Sequence, residues 1–449
     1  MNNRSGHYWQ QLRESLWFVP GVLVLLSFGL AYGLVEFDTN TAWKGKKQFP
    51  LLFGNGAEGA RGMLTAIAGS MLTVAALIFS LTLSTITQVS SQYSPRVLRN
   101  FMSDRLNQFI MGYFVSVFAY CLIVLGTIRG SDEGQFVPAT AVVVGLLLAL
   151  GGVAALIVFI HHIAESLQTG TIVSHIFRET GKAIDNLFPA TVGEPLTDSY
   201  YDENDLRLAD EPTGWWAVKA GQVGYLQRID THGLLQWATR HELIVRQEKE
   251  VGSFLGEGTV VFSVRGDNKR PEPIKADWPA DLMTYITIGK HRSIEQDVSF
   301  GIQQLVDIVL KALSPGINDT TTAIMTVDFL GAIGERLAGR VFPSRLRSDG
   351  TCLRLIVATR SFDQFIRLAF DLPRINAKGN HAVLLRLIQA LALTARATSS
   401  ADRQPVLREQ ATLLLAWANQ TLASDYEKKT VRDSYAALLG FQNKVGYTG

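Results

Sequence analysis

The sequence predicts an α+β membrane protein. It has a four-helix transmembrane region at the N-terminus, then a small β-barrel- or sandwich-like module, then a mainly helical cytoplasmic domain. Three observations carry this. Long apolar, uncharged stretches fill most of residues 1–165. Short strand-like runs broken by glycines occupy 212–275, and apolar residues recur at helical intervals from 276 onward. Residues 166–211 connect the first region to the second.

Composition narrows the classes. The 449 residues suit two or three domains. Only 18% are charged, but the average hides a split: residues 106–128 carry no charge, while nearly half of 198–210 do. The net charge of +2 and the lack of a Lys/Arg-rich run exclude nucleic acid as an expected partner. Cys121 and Cys352 are far apart, with no CxxC pair. That implies no disulfide framework and fits a reducing compartment for the soluble part.

Four segments are long enough to cross ~30 Å of hydrocarbon, which takes roughly 20 apolar residues. They cover 16–35, 62–95, 106–128 and 136–160. The first opens with Trp17 and Phe18, suited to a membrane interface, and holds Pro20 in its first turn, where a missing N–H costs little. It is too long for a signal peptide and lacks a small-residue cleavage site, so it reads as a retained span. An even number of spans puts both ends on one side. Arg4, Arg13, Arg96, Arg99, Arg105, Arg178 and Lys182 fall on that side, against Lys44, Lys46, Lys47, Arg61 and Arg129 on the other. The excess favours cytoplasmic N- and C-termini.

The second segment is too long for a simple span, so it should tilt or protrude on the cytoplasmic side. Counting 100° per residue from Thr73, Ser80, Ser84, Thr87 and Ser91 fall within about 40° of one direction. Two readings stay open. In one, the hydroxyls bond back to their own helix and let neighbouring helices approach closely. In the other, Thr73, Ser80, Ser84, Thr87, Gln88 and Ser91 line a pathway through a homo-oligomer, with Arg96 and Arg99 at its mouth.

The fourth segment ends in His161, His162 and Glu165, a candidate metal or proton-relay group whose first and last members share a helix face. Its alternative is an interfacial polar foot, since two or three ligands need another from elsewhere.

In the soluble part, Ile172, Ile176, Ile184 and Leu187 predict an amphipathic helix over 167–188, with a polar loop after it over 197–211. Strands are expected at 215–220, 224–229, 243–246 and 259–264. Their order is similar to biotinyl/lipoyl-type modules. Lys249 is poorly placed for cofactor attachment, so the expected cofactor is none. Helices are expected at 293–313, 321–337, 361–370, 381–397, 404–423 and 425–439, with a strand at 353–358. Between the first two helices, Ser314-Pro315-Gly316 makes a break, and Asn318-Asp319-Thr320 caps the second. Asn318 and Asp319 have another reading, as a site for an ion or small polar ligand at a helix N-terminus.

"SSQYSPRVLRNF", "HHIAESLQTG" and "RSIEQDVSFGIQQLVDIVLKALSPGINDTTTA" carry a resemblance to the bacterial predicted membrane proteins of domain-of-unknown-function family 2254. Members usually read Asn-Asp-Pro where this chain has Asn318-Asp319-Thr320. The resemblance covers almost the whole chain. It implies four spans in a bacterial inner membrane and a cytoplasmic soluble domain, and it implies no activity.

The sequence leaves three function classes. One is a homo-oligomeric channel lined by the second span. Another is a regulatory or scaffolding membrane protein whose soluble domain binds a partner or ligand. The third, an enzyme, has no GxSxG, HExxH, P-loop or GxGxxG motif behind it.

Overall fold

The computed structural model describes residues 17–40, 56–92, 105–129, 136–166, 168–188, 211–266, 277–350, 352–398 and 400–445. The chain forms two compact units, Met1–Thr171 and Ile172–Gly449.

The first unit holds four helices long and apolar enough to cross a membrane: α1 (Phe18–Asn40), α2 (Ala57–Gln92), α3 (Arg105–Thr127) and α4 (Ala139–Ser166). All four coincide with the expected segments. Hydropathy alone makes α3 look like an ordinary anchor, but it is the hub of the bundle. Ile110, Phe114, Val117, Tyr120, Cys121 and Val124 along it are all buried. Glycines let its neighbours in. A Cβ on Gly112 would lie 2.7 Å from the Cα of Pro20, so only glycine permits α1 to sit there. On α4, Gly145 faces Leu64 of α2 and Gly152 faces Met71. Both pairs are 81 positions apart, so α2 and α4 run side by side in the same direction.

The two phenols of α3 find backbone partners, as an apolar solvent demands. Tyr113 donates from Oη to the Leu148 carbonyl at 2.7 Å, and Tyr120 to the Ala141 carbonyl at 2.7 Å. At the end where α2 and α4 begin, Asp38 accepts from the Ala141 amide at 3.1 Å and Arg61 donates to the Ile128 carbonyl at 2.7 Å. Each places a charge where the helix end is of opposite sign.

The second unit begins within the first turn of α5 (Thr169–Leu187), the expected amphipathic helix. Ile172, Val173, Ile176, Ala183 and Ile184 are its buried stripe. The β region is not a closed barrel. Strands β1 (Trp216–Lys219), β3 (Leu243–Gln247) and β5 (Val260–Gly266) join β7 (Leu346–Ser348) and β8 (Leu353–Ile356) in a sheet of order β1-β5-β3-β8-β7. Strands β2 (Gly224–Ile229), β4 (Phe254–Leu255) and β6 (Ile286–Gly289) form a second sheet, β4-β2-β6. One apolar core, including Val218, Leu226, Val245, Leu255 and Phe262, serves both.

Three of these strands lie past residue 275, so 212–275 does not close on itself as a module. Two short helices complete the region. Helix α6 (Thr231–Arg240) is capped by Asp230, which accepts from the Gly233 amide, and α7 (Trp278–Met283) comes after β5.

The remaining helices are α8 (Val298–Ala312), α9 (Thr320–Ala338), α10 (Phe362–Asn376), α11 (His381–Ala397), α12 (Gln404–Thr421) and α13 (Asp425–Val445). Helices α9 and α11 run parallel in close contact. A Cβ on Gly331 would lie 2.8 Å from that of Ala390, and one on Gly334 would lie 2.5 Å from the Thr394 hydroxyl. Helix α5 is bound to this body by Phe177 on Phe329, by Thr180 against Gly301, and by Asp185 accepting from both Arg336 and Arg340.

Candidate functional site

Helix α2 is 36 residues long, about 54 Å at 1.5 Å per residue. Its packed face is made by Ala60, Leu64, Ala68, Met71, Ala75 and Ile78, all buried. The hydroxyl stripe lies elsewhere. Thr73, Ser80, Ser84, Thr87 and Gln88 are exposed on the protomer. Small residues continue the same direction toward the helix start: a Cβ on Gly62 or Gly69 would meet nothing within 4 Å. Ser91 lies on the helix, at its last turn. Arg96 and Arg99, the expected mouth, lie outside the described residues.

The bonds at the start of the bundle give a ruler. Asp38 is bonded to Ala141 and Arg61 to Ile128, and the contact of Gly145 with Leu64 brings the two pairs to nearly one level. Counting about 20 residues from each, the depth of ~30 Å of hydrocarbon, leads to Phe18, Gln108, His161 and Leu81. The first three are interface positions. Trp17 precedes Phe18, Arg105 lies one turn beyond Gln108, and His162 is next to His161. Helix α2 runs on furthest, for about 11 residues or some 17 Å, against about five residues for α4 and three for α3. The stripe therefore divides: Thr73 and Ser80 lie within the hydrocarbon depth, while Ser84, Thr87, Gln88 and Ser91 lie on the overhang. Helix α2 has the extra length expected of it, and only part of the stripe falls within one hydrocarbon thickness of its start.

Several hydroxyls are also bonded along their own helix. Thr73 donates to the Gly69 carbonyl at 2.9 Å and Thr87 to Leu83 at 2.9 Å; Ser70 and Thr82 do likewise. Such bonds let a hydroxyl sit in lipid at little cost.

The foot of α4 is open. His161 Nε2 lies 3.4 Å from Glu165 Oε1, and both side chains are well exposed. His162 Nε2 is 3.5 Å from Ser166 Oγ. Among the described residues, no group of three or more His, Cys, Asp or Glu side chains converges as metal ligands. His175 stands on α5, where Arg178 donates to its Nδ1 at 3.1 Å. Burial pulls its pKa down, toward the neutral form that can accept that bond.

Asn318 and Asp319 are brought to the start of α9. Asn318 takes a left-handed φ of 48°, which reverses the chain after Pro315-Gly316. The Asp319 carboxylate accepts from the Thr322 amide at 3.0 Å and the Thr322 hydroxyl at 2.5 Å. The hydroxyl, then the amide, hold this carboxyl below the usual range. Alongside, Asn380 caps α11 and donates to Thr320 Oγ1 at 2.8 Å. Both oxygens of Asp319 thus serve the cap, which accounts for the residue without a ligand.

Sequence reasoning misses Asp38, Arg61, Tyr113 and Tyr120. The polar residues at the rims of the apolar runs serve there as topology markers only. Tyrosines inside a span are a usable signal, because a buried phenol needs an acceptor.

The family model described as a predicted membrane protein (DUF2254) matches residues 13–393. The chain belongs to this family. Other DUF2254-like sequences include uncharacterized proteins of Mycobacterium tuberculosis and Mycobacterium bovis. Each is 29% identical over 438 residues, covering 96% of this chain and 81% of the relative. No solved structure matches this DUF2254 chain.

Proposed function

We propose that the protein is a homo-oligomeric channel of the bacterial inner membrane, with α2 lining the pathway. In this reading both termini are cytoplasmic, and the second unit is the assembly or regulatory domain. One observation carries the proposal: the hydroxyl face of α2 points away from its own bundle, where a second copy can meet it. The lack of Asp, Glu, Lys or Arg within residues 62–95 suits a pathway without tightly bound ions. No catalytic step enters this reading.

A non-transporting regulatory role is the second reading. It draws on the hydroxyls of Ser70, Thr73, Thr82 and Thr87, which are satisfied by their own helix and need no water.

The experiment is conductance of the purified protein in planar bilayers, beside cysteine cross-linking at position 80 in a chain freed of Cys121 and Cys352. The channel reading expects unitary currents and cross-linked protomers through Ser80→Cys. It also expects Thr73→Leu and Ser80→Leu to reduce conductance more than Thr87→Leu does. Silence under every salt, voltage and tension, with no cross-link, overturns it. Co-purification of a stoichiometric partner through the second unit then selects the regulatory reading.

A further inference from the structure

Two arginines meet at the end of the bundle where α2 and α4 begin. Arg61 donates through Nη2 to the Ile128 carbonyl at 2.7 Å. Arg129 is the next residue, held in a bridge by paired backbone bonds to Phe136 at 3.1 and 3.3 Å. The Arg61 guanidinium therefore touches the peptide that leads into Arg129, which roots the second cationic side chain beside the first. Both residues are exposed.

The depth is that of lipid headgroups. Asp38 and Ala141 mark the same level, one hydrocarbon thickness from His161. Arg61 spends one N–H donor on the helix end, which tethers the guanidinium and leaves four donors for another acceptor. Neither arginine makes an ion pair with a carboxylate among the described residues. The nearest acid on α2 is Glu58, one turn away and exposed.

We propose that Arg61 and Arg129 form a binding site for the phosphate of an anionic phospholipid. Two guanidiniums at a membrane interface match a tetrahedral, singly charged phosphodiester, with forked donors on two of its oxygens. The α3 terminus tethers the Arg61 guanidinium, and the Arg129–Phe136 bridge fixes the backbone that carries the other. The lipid headgroup is the favoured source, because the pair lies at headgroup depth. This site is independent of the channel reading.

The test uses the full-length protein in detergent, titrated with phosphatidylglycerol or phosphatidylcholine. Retained lipid is counted by native mass spectrometry. The wild type is expected to retain phosphatidylglycerol in preference to phosphatidylcholine. Arg129→Gln, which leaves the Arg61–Ile128 bond in place, should weaken that preference about tenfold, the weight of one charged hydrogen bond. Arg61→Gln with Arg129→Gln should abolish it. Circular dichroism in detergent alone confirms that the variants remain folded. Equal retention by wild type and Arg129→Gln overturns the proposal. So does full displacement of the lipid by millimolar inorganic phosphate, which would make the site a reader of soluble anions. Arg129→Lys should keep part of the preference, and a complete loss with Lys would also count against a charge-based site.

Discussion

Gly301→Ala is a one-carbon change with a large expected effect. A Cβ there would lie 1.9 Å from Thr180 Oγ1, 2.9 Å from its Cβ and 3.0 Å from its Cγ2. The hydroxyl cannot swing aside freely, because Thr180 is fully buried and donates to the Ile176 carbonyl at 2.7 Å. Helices α5 and α8 must separate instead. Overpacking of this kind costs about 1–3 kcal/mol, and the better helix propensity of alanine returns about 0.5–1 kcal/mol. The net loss then spans about 0–2.5 kcal/mol, centred on about 1.3 kcal/mol. Thr180→Ala alone removes a methyl and a hydroxyl from a packed site, for about 1 kcal/mol. In the double variant the contacts with Oγ1 and Cγ2 are gone, and the 2.9 Å approach to the retained Cβ is what remains to be relieved. The two losses should therefore fail to add, by about 1 kcal/mol or more. Amide hydrogen exchange along α5 in the full-length protein reads this as local opening. Exchange should quicken about tenfold in Gly301→Ala and slow again when Thr180→Ala is added. If the two changes simply multiply, the contact between α5 and α8 is not the one described.

Three further outcomes are expected. Asp319→Ala should cost about 1–2 kcal/mol of local stability at the start of α9, seen as faster exchange at Thr321 and Thr322, while Asp319→Ser keeps most of the cap. The Asp319 carboxyl is held below its ordinary value. Its contribution is therefore complete above the unfolded value of about 3.9, and it is lost as pH falls through the folded value. The acid-induced opening of this turn should vanish in Asp319→Ser. Tyr120→Phe, which removes the bond to the Ala141 carbonyl, should lower the stability of the membrane unit by about 0.6–1.7 kcal/mol, measured as a reduced unfolding midpoint in detergent. Asp185→Asn should cost no more than about 1 kcal/mol, because its carboxylate is 40% exposed, and the effect should shrink in high salt.

Much of this fold is legible from residue order. The four apolar runs, the helices from 381 and 404, and the strand at 224–229 need only a period and a composition. The hidden part depends on partners far along the chain. Strands β7 and β8 are short, and nothing local says that β8 pairs in parallel with β3, over a hundred residues earlier. Helix α6 escapes a reading by pattern although Asp230, Leu234, Trp237 and Ala238 offer a cap and a helical spacing, because the surrounding strands dominate. The role of α3 is also hidden. Its hydropathy matches that of its neighbours, and only the contacts of Gly112, Tyr113 and Tyr120 make it the centre. The stripe on α2 is visible as a direction, but the part within the hydrocarbon can be set only from the bonds of Asp38 and Arg61.

The internal satisfaction of the α2 hydroxyls bears on how the protein is made. A chain enters the bilayer in order, so α1 and α2 must wait in lipid before α3 exists. Ser70 and Thr73 can wait, since their donors are spent on carbonyls of the same helix. Tyr113 and Tyr120 cannot, because their acceptors are the Leu148 and Ala141 carbonyls, which arrive with α4. The third and fourth spans are thus suited to partition as one hairpin, and α1 finds its seat at Gly112 only when that hairpin is in place. Biogenesis then has a committed step once α4 follows α3, and truncation before residue 139 should leave three spans that are degraded instead of assembled.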